Sequence, residues 1–197
     1  MKLSVICPAL LSRNHDAPIL DSLRAQIQGK PAELIVLSDD GKMPIGTKLN
    51  HLLRCVTGEY VTTVADDDVV PEDYVDTLLD ATGTTDVVTF NVNWQAGEPF
   101  LDWPVETCNF RPIAAVRSAI ATQFVYPAWS RSEDRAFRRW LRSRQPSVLH
   151  LDKILYGYCF RQAKPEFGGL MYAPGCREAS RGDVQRVLST QTVGASL

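Results

Sequence analysis

Three consecutive carboxylates, Asp66-Asp67-Asp68, follow a short apolar segment that runs from Tyr60 to Val64. Carboxylate oxygens are the ligands that Mg²⁺ and Mn²⁺ prefer, and a divalent ion held by them could bridge phosphate oxygens. If the chain stays extended through the triplet, its side chains alternate, and those of Asp66 and Asp68 point to the same side. The spacing therefore predicts a metal site at Asp66 and Asp68. The structural alternative is a solvated acidic turn.

Charge is distributed unevenly along the 197 residues. The formal net charge is only −2, yet the segment from Cys55 to Phe110 contains twelve acidic residues and no lysine or arginine. All 21 basic residues and the other 11 of the 23 acidic residues lie outside this segment. This pattern favours an acidic cation site beside basic surfaces that could bind anionic ligands.

Apolar strand-like segments alternate with helix-like periodicity through the first 92 residues. The run from Leu3 to Cys7, ended by Pro8, and the run from Leu34 to Leu37 predict buried strands. Each is followed by apolar residues at helical spacing, and Pro71 is expected to open the third helix. The alternation predicts an α/β fold with a mostly parallel, doubly wound sheet flanked by helices.

The sequence as a whole predicts a single domain over residues 1–176, followed by a C-terminal tail over residues 177–197. Its first half, about residues 1–92, carries the regular alternation, and its second half covers about 93–176. A further helix is expected after Ser132, with a last core strand from Leu149 to Tyr158. The tail is rich in Ser, Thr, Gln and Gly, a composition typical of flexible segments.

Polar residues follow each of the first three predicted strands. They are Pro8-Ala9, Asp39-Asp40-Gly41 and the acidic triplet. Ligands of open α/β sheets bind beyond the carboxyl ends of the strands, so we expect these three clusters to face one crevice. The sequence has no G-x-G-x-x-G after the first strand and no G-x-x-x-x-G-K-[ST]. The common dinucleotide and P-loop phosphate sites are therefore excluded.

In this order and at these spacings, the segments resemble the family 2 glycosyltransferases of GT-A fold, which use nucleotide-diphospho-sugars. The similar segments are Ser4-Val5-Ile6-Cys7-Pro8, Glu33 to Gly41 with its D-D-G signature, Gly46-Thr47-Lys48-Leu49-Asn50, and Gly58-Glu59-Tyr60-Val61 leading into the D-x-D motif at Asp66 and Asp68.

The resemblance implies a nucleotide-sugar site that contains Mn²⁺ or Mg²⁺. Asp39 or Asp40 would contact the base, and Lys48 would lie near the diphosphate. The triplet would bind the ribose and the metal, with Asp66 and Asp68 as metal ligands. Ala65 stands where the family usually has a large apolar residue, so the register within the triplet stays open. The complete set of nucleotide-sugar-binding candidates is Pro8, Ala9, Asp39, Asp40, Lys48, Asp66 and Asp67.

On the acceptor side, Ser132-Glu133-Asp134 resembles the G-E-D motif of these enzymes. The resemblance makes Asp134 the catalytic base, with Glu133 as the next candidate. A carboxylate at a helix N-terminus stays ionised and can accept a proton from an attacking hydroxyl. The same two carboxylates could instead serve only the helix terminus.

The resemblance implies a metal-dependent, inverting glycosyltransferase that moves a sugar from the nucleotide-diphospho-sugar to an acceptor hydroxyl. Two alternatives stay open. Acidic strand ends also suit a metal-dependent nucleotidyl or phosphoryl transfer enzyme, since that chemistry needs carboxylate-held Mg²⁺ beside phosphates. The third possibility is a nucleotide-sugar-binding module without turnover.

The acceptor is expected to be a saccharide or a hydroxylated base in DNA. Six arginines lie between Arg131 and Arg144, against Glu133 and Asp134 as the acidic residues there. An arginine-rich helix can follow a phosphate backbone, and the DNA contacts would come from Arg135, Arg138, Arg139 and Arg142. A solvated basic helix face is the alternative.

The composition also bears on location. No apolar run approaches the roughly 18 residues of a membrane helix, and the N-terminal segment lacks a signal-peptide pattern. The five cysteines form no C-x-x-C pair, so neither a zinc site nor a disulfide framework is expected. These features predict a cytoplasmic protein without a membrane span.

Overall fold

The computed structural model describes residues 1–12, 18–95, 105–107, 111–128 and 133–159. The predicted tail over 177–197 and Ser132, after which a helix was expected, lie outside these ranges. The strands are β1 (Leu3–Leu10), β2 (Ala32–Asp39), β3 (Tyr60–Thr63), β4 (Val87–Gln95), β5 (Val105–Thr107), β6 (Ala115–Arg117) and β7 (Val148–Cys159). The α-helices are α1 (Pro18–Ile27), α2 (Ile45–Leu53), α3 (Tyr74–Ala81), α4 (Ser118–Ala121) and α5 (Glu133–Ser143).

The described strands form a single sheet in which β2, β1, β3, β6 and β4 are successive neighbours. β1 is parallel to β2 and β3, and β4 is parallel to β7, whereas β5 and β6 run in the opposite direction. The predicted α/β fold with a mostly parallel sheet is confirmed. The carboxyl ends of β1, β2, β3, β4 and β7 consequently share one side of the sheet, which we call the carboxyl edge.

Strand β1 continues beyond Pro8, where the sequence predicts its end. The β3 side of β1 makes its last backbone bond from Val64 N to the Ile6 carbonyl at 2.9 Å. Successive residues of a strand alternate in the direction of their backbone groups, so Pro8 faces β3 as Ile6 does. The next bond of a parallel ladder would come from an N–H on residue 8, which proline lacks, and pairing with β3 stops there. The β2 side is unaffected, and β1 pairs with β2 as far as Leu10 and Asp39.

Apolar faces of the helices cover the sheet. β1 is buried along almost its whole length, and α1, α2 and α3 each bury two to four large apolar side chains against the core. Each fully buried side chain of this size contributes about 1.5–3 kcal/mol relative to exposure. Helix α3 begins at Tyr74 rather than at Pro71, because residues 71–73 form a turn whose Pro71 carbonyl accepts from Tyr74 N at 3.1 Å.

Helix α2 joins the first half of the domain to the segment that precedes α5. The Asn50 side chain donates to the Tyr126 carbonyl and accepts from the Tyr126 N–H, both at 2.8 Å. One turn earlier, Gly46 lies against the backbone of Pro127, so closely that an added Cβ would overlap the Pro127 carbonyl oxygen. The absence of a side chain at position 46 therefore determines how closely this segment approaches the first turn of α2.

Gly46→Ala is expected to destabilise the protein by about 1–3 kcal/mol, the usual cost of overpacking. The direction is informative, because alanine in a helix interior is otherwise more stable than glycine by about 0.5–1 kcal/mol. Urea unfolding of the two proteins measures the difference. A stabilised Gly46→Ala variant would contradict the close packing of α2 on Pro127.

Candidate active site

The acidic triplet lies in a turn at the carboxyl end of β3. Strand pairing ends at Thr63, and the chain then turns with Asp68 N donating to the Ala65 carbonyl at 3.3 Å. The expected side-chain alternation through the triplet is therefore wrong, because the chain is no longer extended there. Asp66 and Asp68 are nevertheless both buried, with 6% and 9% of their surface exposed.

Asp66 is bound to the end of β1. The backbone N–H of Leu10 donates to Asp66 Oδ2 at 2.7 Å. Buried carboxylates are stable only when hydrogen bonds replace their lost hydration. This bond therefore supports the Asp66 carboxylate and links the ends of two neighbouring parallel strands.

Asp68 is bound by a tyrosine of the last strand. The Tyr156 hydroxyl donates to Asp68 Oδ2 at 2.6 Å and accepts from the backbone N–H of Ala65 at 3.1 Å. The hydroxyl is buried, and burial together with the Asp68 charge raises the pKa of Tyr156 well above its ordinary value. Tyr156 therefore remains a hydrogen-bond donor and holds both ends of the triplet turn.

A short backbone bridge fixes the residue after the triplet. Val69 N donates to the Gly157 carbonyl at 3.0 Å, and Gly157 N donates to the Val69 carbonyl at 2.9 Å. A Cβ on Gly157 would lie 2.6 Å from Val69 Cγ2, so the close approach requires glycine. Tyr156 and Gly157 thus anchor opposite sides of the turn from one position on β7.

The buried thiol of Cys7 responds to the charge of the triplet. Burial raises its pKa well above the ordinary value, and the carboxylates of Asp66, Asp67 and Asp68 raise it further, against a smaller opposing effect of Lys48. The donor atoms that the triplet itself supplies are carboxylate oxygens, which suit Mg²⁺ or Mn²⁺ rather than zinc.

A second polar cluster joins the ends of β1 and β2. Lys48 of α2 is buried, donates to the Ala9 carbonyl at 2.7 Å and forms an ion pair with Asp39. Met43 N also donates to Asp39 Oδ2 at 2.6 Å. Desolvation acts to raise the pKa of Asp39, but the hydrogen bonds from Lys48 and Met43 outweigh it, and the pKa is lowered. Asp39 is therefore a firmly held carboxylate.

The other candidates for nucleotide-sugar binding differ in solvent exposure. Pro8 and Ala9 are buried within β1. Asp40 is exposed and pairs with Lys42, whose hydrogen bond lowers the pKa of the Asp40 carboxyl. The structure thus brings the ends of β1, β2 and β3 together through Lys48 and Asp66, as the parallel sheet predicts. Lys48 itself is occupied by Asp39 and the Ala9 carbonyl.

Helix α5 begins with the two acceptor-side carboxylates. One oxygen of Asp134 accepts from Arg135 N at 2.7 Å. Glu133 is partly buried, burial raises its pKa, and its Oε2 has no hydrogen-bond partner among the residues that the structure describes. Burial raises the pKa of the Tyr126 hydroxyl well above its ordinary value, and the negative charges of Glu133 and Asp134 raise it further.

The start of α5 is oriented by its neighbours. Tyr126 stacks on Phe137 of α5, with ring centroids 5.4 Å apart and planes 15° apart. Its backbone is bound by Asn50 of α2, and the adjoining Pro127 lies against Gly46. The first turn of α2 follows the carboxyl end of β2, so these contacts anchor the segment leading to α5 at the carboxyl edge.

The carboxylates at β3 fit a divalent cation of the hard, oxygen-binding class. Within the described ranges no group of three or more His, Cys, Asp or Glu side chains could by itself enclose a metal ion. Mg²⁺-type ions that act on phosphates commonly bind through one or two carboxylates and complete their coordination with phosphate oxygens and water. Asp66 and Asp68 match that partial donor set.

The sequence patterns did not identify Tyr156, Gly157 or Asn50 as site residues. Tyr156 and Gly157 occur within a regular strand pattern, and only the β7 register brings them to the triplet. The Tyr-Gly-Tyr sequence at the end of the last strand is the one available signal, since glycine inside a strand often marks a close backbone approach. Asn50 is part of the Gly46–Asn50 segment of the family resemblance, but the resemblance gave it no role.

No protein-family model matches the chain, and no curated protein sequence matches it significantly. Solved structures do match. Staphylococcus aureus TarS 1–349 in complex with UDP-GlcNAc superposes with a TM-score of 0.62 at 19% identity, over 83% of this chain and 60% of that one. Glucosyl-3-phosphoglycerate synthase from Mycobacterium tuberculosis, in complex with Mn²⁺, UDP and phosphoglyceric acid, gives 0.58 at 15% identity, over 84% and 72%.

A third similar structure is CMP:2-keto-3-deoxy-manno-octonic acid synthetase complexed with CTP, with a TM-score of 0.53 at 12% identity, over 80% and 92% of the two chains. The chain spans 36% of one TarS structure and 60% of the TarS 1–349 structures. At these identities the similarity establishes the fold. The chain has the GT-A fold. The described part contains no helix long and apolar enough to cross a membrane.

Tyr156→Phe is expected to lower the free energy of unfolding by about 1–3 kcal/mol, because Asp68 Oδ2 and the Ala65 N–H each lose a buried partner. It should also speed amide hydrogen exchange across residues 65–69, since the hydroxyl holds both ends of that turn. Urea unfolding and hydrogen-exchange mass spectrometry measure the two effects.

Tyr60→Phe is the matched control for this variant. The Tyr60 hydroxyl likewise donates to a carbonyl, that of Thr85, and accepts from Gly83 N, but it belongs to the amino-terminal end of β3. We expect a comparable loss of stability with unchanged exchange at residues 65–69. Equal exchange rates in the Tyr156→Phe variant and the wild type would rule out the anchoring role of Tyr156.

Proposed function

We propose that this chain is a metal-dependent glycosyltransferase of family 2 that binds a nucleotide-diphospho-sugar at the carboxyl edge. The observation that carries the proposal is the pair of buried carboxylates, Asp66 and Asp68, held in a turn at the end of β3 in a GT-A fold. UDP-sugars are the first donors to test, because two of the similar structures contain UDP or UDP-GlcNAc.

The donor end of the site uses residues from three strands. In this proposal Asp39 would accept a hydrogen bond from the nucleobase, and its ion pair with Lys48 supports its ionised form. The triplet carboxylates, with Asp66 and Asp68 as ligands, would hold Mn²⁺ or Mg²⁺. When bound, the ion neutralises charge that develops on the departing diphosphate. The hydrogen bonds from Leu10 and Tyr156 preorganise these carboxylates before the donor binds.

Transfer requires a proton acceptor beside the incoming hydroxyl. Asp134 takes the hydroxyl proton as the acceptor oxygen forms a bond to the anomeric carbon. The bond from that carbon to the β-phosphate oxygen breaks, and its electron pair leaves with the nucleoside diphosphate. Attack opposite the leaving group inverts the configuration. Glu133 is the second candidate for the base, because burial raises its pKa and its buried Oε2 meets no hydrogen-bond partner within the described ranges.

A metal-dependent nucleotidyltransferase is the second candidate function. The similarity to CMP:2-keto-3-deoxy-manno-octonic acid synthetase favours it, and carboxylate-held metal beside phosphates serves both chemistries. The two candidates differ in their nucleotide. A transferase of the first kind prefers a nucleoside diphosphate or its sugar, whereas the second prefers a triphosphate. A binding module without turnover would bind the sugar nucleotide but release no product.

Asp68→Asn is expected to remove the Mn²⁺-dependent part of UDP binding while retaining the fold. Asparagine keeps the size of the side chain and an oxygen that can accept from Tyr156, but it loses the charge. We expect the affinity for UDP with Mn²⁺ to fall by about 100-fold, the upper range seen for metal-site changes. Isothermal titration calorimetry with UDP, with and without Mn²⁺, measures it.

Asp76→Asn is the control, since Asp76 is an exposed residue of α3 that pairs with Lys30. It should leave UDP binding unchanged. Calorimetry with UTP and CTP under the same conditions separates the two candidate functions. Unaltered Mn²⁺-dependent binding by Asp68→Asn would remove the metal role of the triplet, and tighter binding of a triphosphate would favour nucleotidyl transfer.

Asp134→Asn should lower transfer by about 10²–10⁴-fold with little change in donor affinity, because it removes a general base and preserves the side chain's size. Glu133→Gln is the paired variant. Release of UDP from UDP-GlcNAc or UDP-glucose, to water or to an acceptor, provides the rate. A large loss in Glu133→Gln with near-normal turnover in Asp134→Asn would assign the base to Glu133 instead.

A further inference from the structure

Helix α5 displays a row of arginines to solvent. Arg135, Arg139 and Arg142 are exposed and follow one another at four- and three-residue intervals, which places them on one face of the helix. Arg138 is partly exposed beside them. The opposite face packs into the core through Phe137 and Leu141, which are almost completely buried. We call the row Arg135, Arg138, Arg139 and Arg142 the arginine face.

Three side chains of the arginine face have no partner in the described part of the chain. No ion pair and no hydrogen bond there involves the guanidinium group of Arg135, Arg138 or Arg139, and the bond from Arg135 to Asp134 comes from the Arg135 backbone N–H. Arg135 and Arg139 are four residues apart, and like charges at that spacing destabilise a helix. The helix itself gains no stability from this arrangement, and a bound anion would relieve the repulsion.

The residue type indicates what kind of anion fits. The stretch from residue 131 to 144 contains six arginines and no lysine. Guanidinium groups bind phosphate through two parallel hydrogen bonds and also stack on flat rings, whereas lysine supplies only a point charge. Arg144 already stacks over Trp140, 4.8 Å from the ring centroid, and Trp140 is only partly buried. This combination of basic groups and an aromatic ring suits a polymer with both phosphates and bases.

We propose that the arginine face binds the phosphodiester backbone of DNA and that the acceptor hydroxyl belongs to a base of that DNA. This inference rests on the proposed glycosyl transfer and names its acceptor class. From Arg135 to Arg142 the helix rises about 10 Å, a length that covers about three phosphates of one strand at roughly 3.4 Å per step along the duplex axis.

The position of the face on α5 connects DNA binding to the chemistry. The same helix begins with Glu133 and Asp134, so a backbone bound along the arginine face leads toward the proposed base. A base has to leave the duplex stack for its hydroxyl to reach an enclosed site. The exocyclic hydroxyl then attacks the anomeric carbon, its proton passes to Asp134, and the nucleoside diphosphate leaves with the electron pair of the broken bond.

The experiment compares two doubly substituted variants with the wild type in binding fluorescein-labelled duplex and single-stranded DNA. Arg135→Gln/Arg139→Gln removes two charges from the arginine face. The control Arg24→Gln/Arg54→Gln removes two exposed arginines near α1 and α2 instead. Fluorescence anisotropy is recorded at several salt concentrations between about 50 and 200 mM, where counterion release makes phosphate binding strongly salt-dependent.

The wild type and the control are expected to bind DNA with the same steep salt dependence. Arg135→Gln/Arg139→Gln should bind about tenfold or more weakly, with the slope of log affinity against log salt reduced by about 2, one unit for each phosphate that is no longer neutralised. Equal losses in both variants, or no DNA binding by the wild type at about 50 mM salt, would overturn the proposal.

Two further measurements separate this inference from the proposed function. Mn²⁺-dependent UDP binding should be the same in Arg135→Gln/Arg139→Gln and in the wild type. DNA that contains 5-hydroxymethylated pyrimidines should gain the mass of one glycosyl group when incubated with the donor, whereas unmodified DNA should not. Intact donor binding without DNA binding would defeat the DNA acceptor alone. Absent donor binding would defeat the proposed function, whatever the outcome with DNA.

Discussion

Burial of negative charge at the carboxyl edge is the constraint on which the arrangement of this domain depends. Asp66 and Asp68 are almost as inaccessible as core residues, and a carboxylate in such a place is tolerated only if hydrogen bonds compensate for its lost water. The partners come from distant parts of the chain, Leu10 at the end of β1 and Tyr156 near the end of β7. The triplet turn is therefore stable only when the sheet holds the ends of β1 and β7 beside the end of β3.

Helix α2 also buries a charged group, in this case a cation that needs compensating partners. Lys48 is a buried cation, and it is matched by Asp39 and by the Ala9 carbonyl. Two residues later, Asn50 binds the backbone of Tyr126. One helix thus fixes the ends of β1 and β2 through its charge and the approach to α5 through its amide. Helix α2 consequently supports both the proposed donor side and the proposed acceptor side of the site.

The sequence predicted those features of the fold and site that depend on local pattern. Apolar periodicity predicts β1, β2, β3 and the helices that follow them. The acidic triplet is visible in the sequence as three consecutive aspartates. The end of β1 was wrongly predicted at Pro8, because proline stops only the pairing with β3 and β1 continues to pair with β2 on its other side. The support of Asp68 by Tyr156 spans 88 positions in sequence and depends on a register shift in the pairing of β4 with β7. Long-range registers of this kind leave no local signal.

The donor side of this molecule does not by itself distinguish glycosyl transfer from nucleotidyl transfer. Both need carboxylates that hold a cation against phosphates, and a preorganised pair serves either reaction equally well. The two reactions differ in the atom that is attacked, which is the anomeric carbon in glycosyl transfer and a phosphorus in nucleotidyl transfer. A neutral hydroxyl that attacks either atom needs a base to remove its proton as the new bond forms. In the proposed mechanism Glu133 and Asp134 would supply that base, at the start of a helix whose Phe137 stacks on Tyr126, which Asn50 of α2 binds. The coupling of α5 to α2 therefore supports transfer to a hydroxyl, and the choice between diphosphate and triphosphate separates the two reactions.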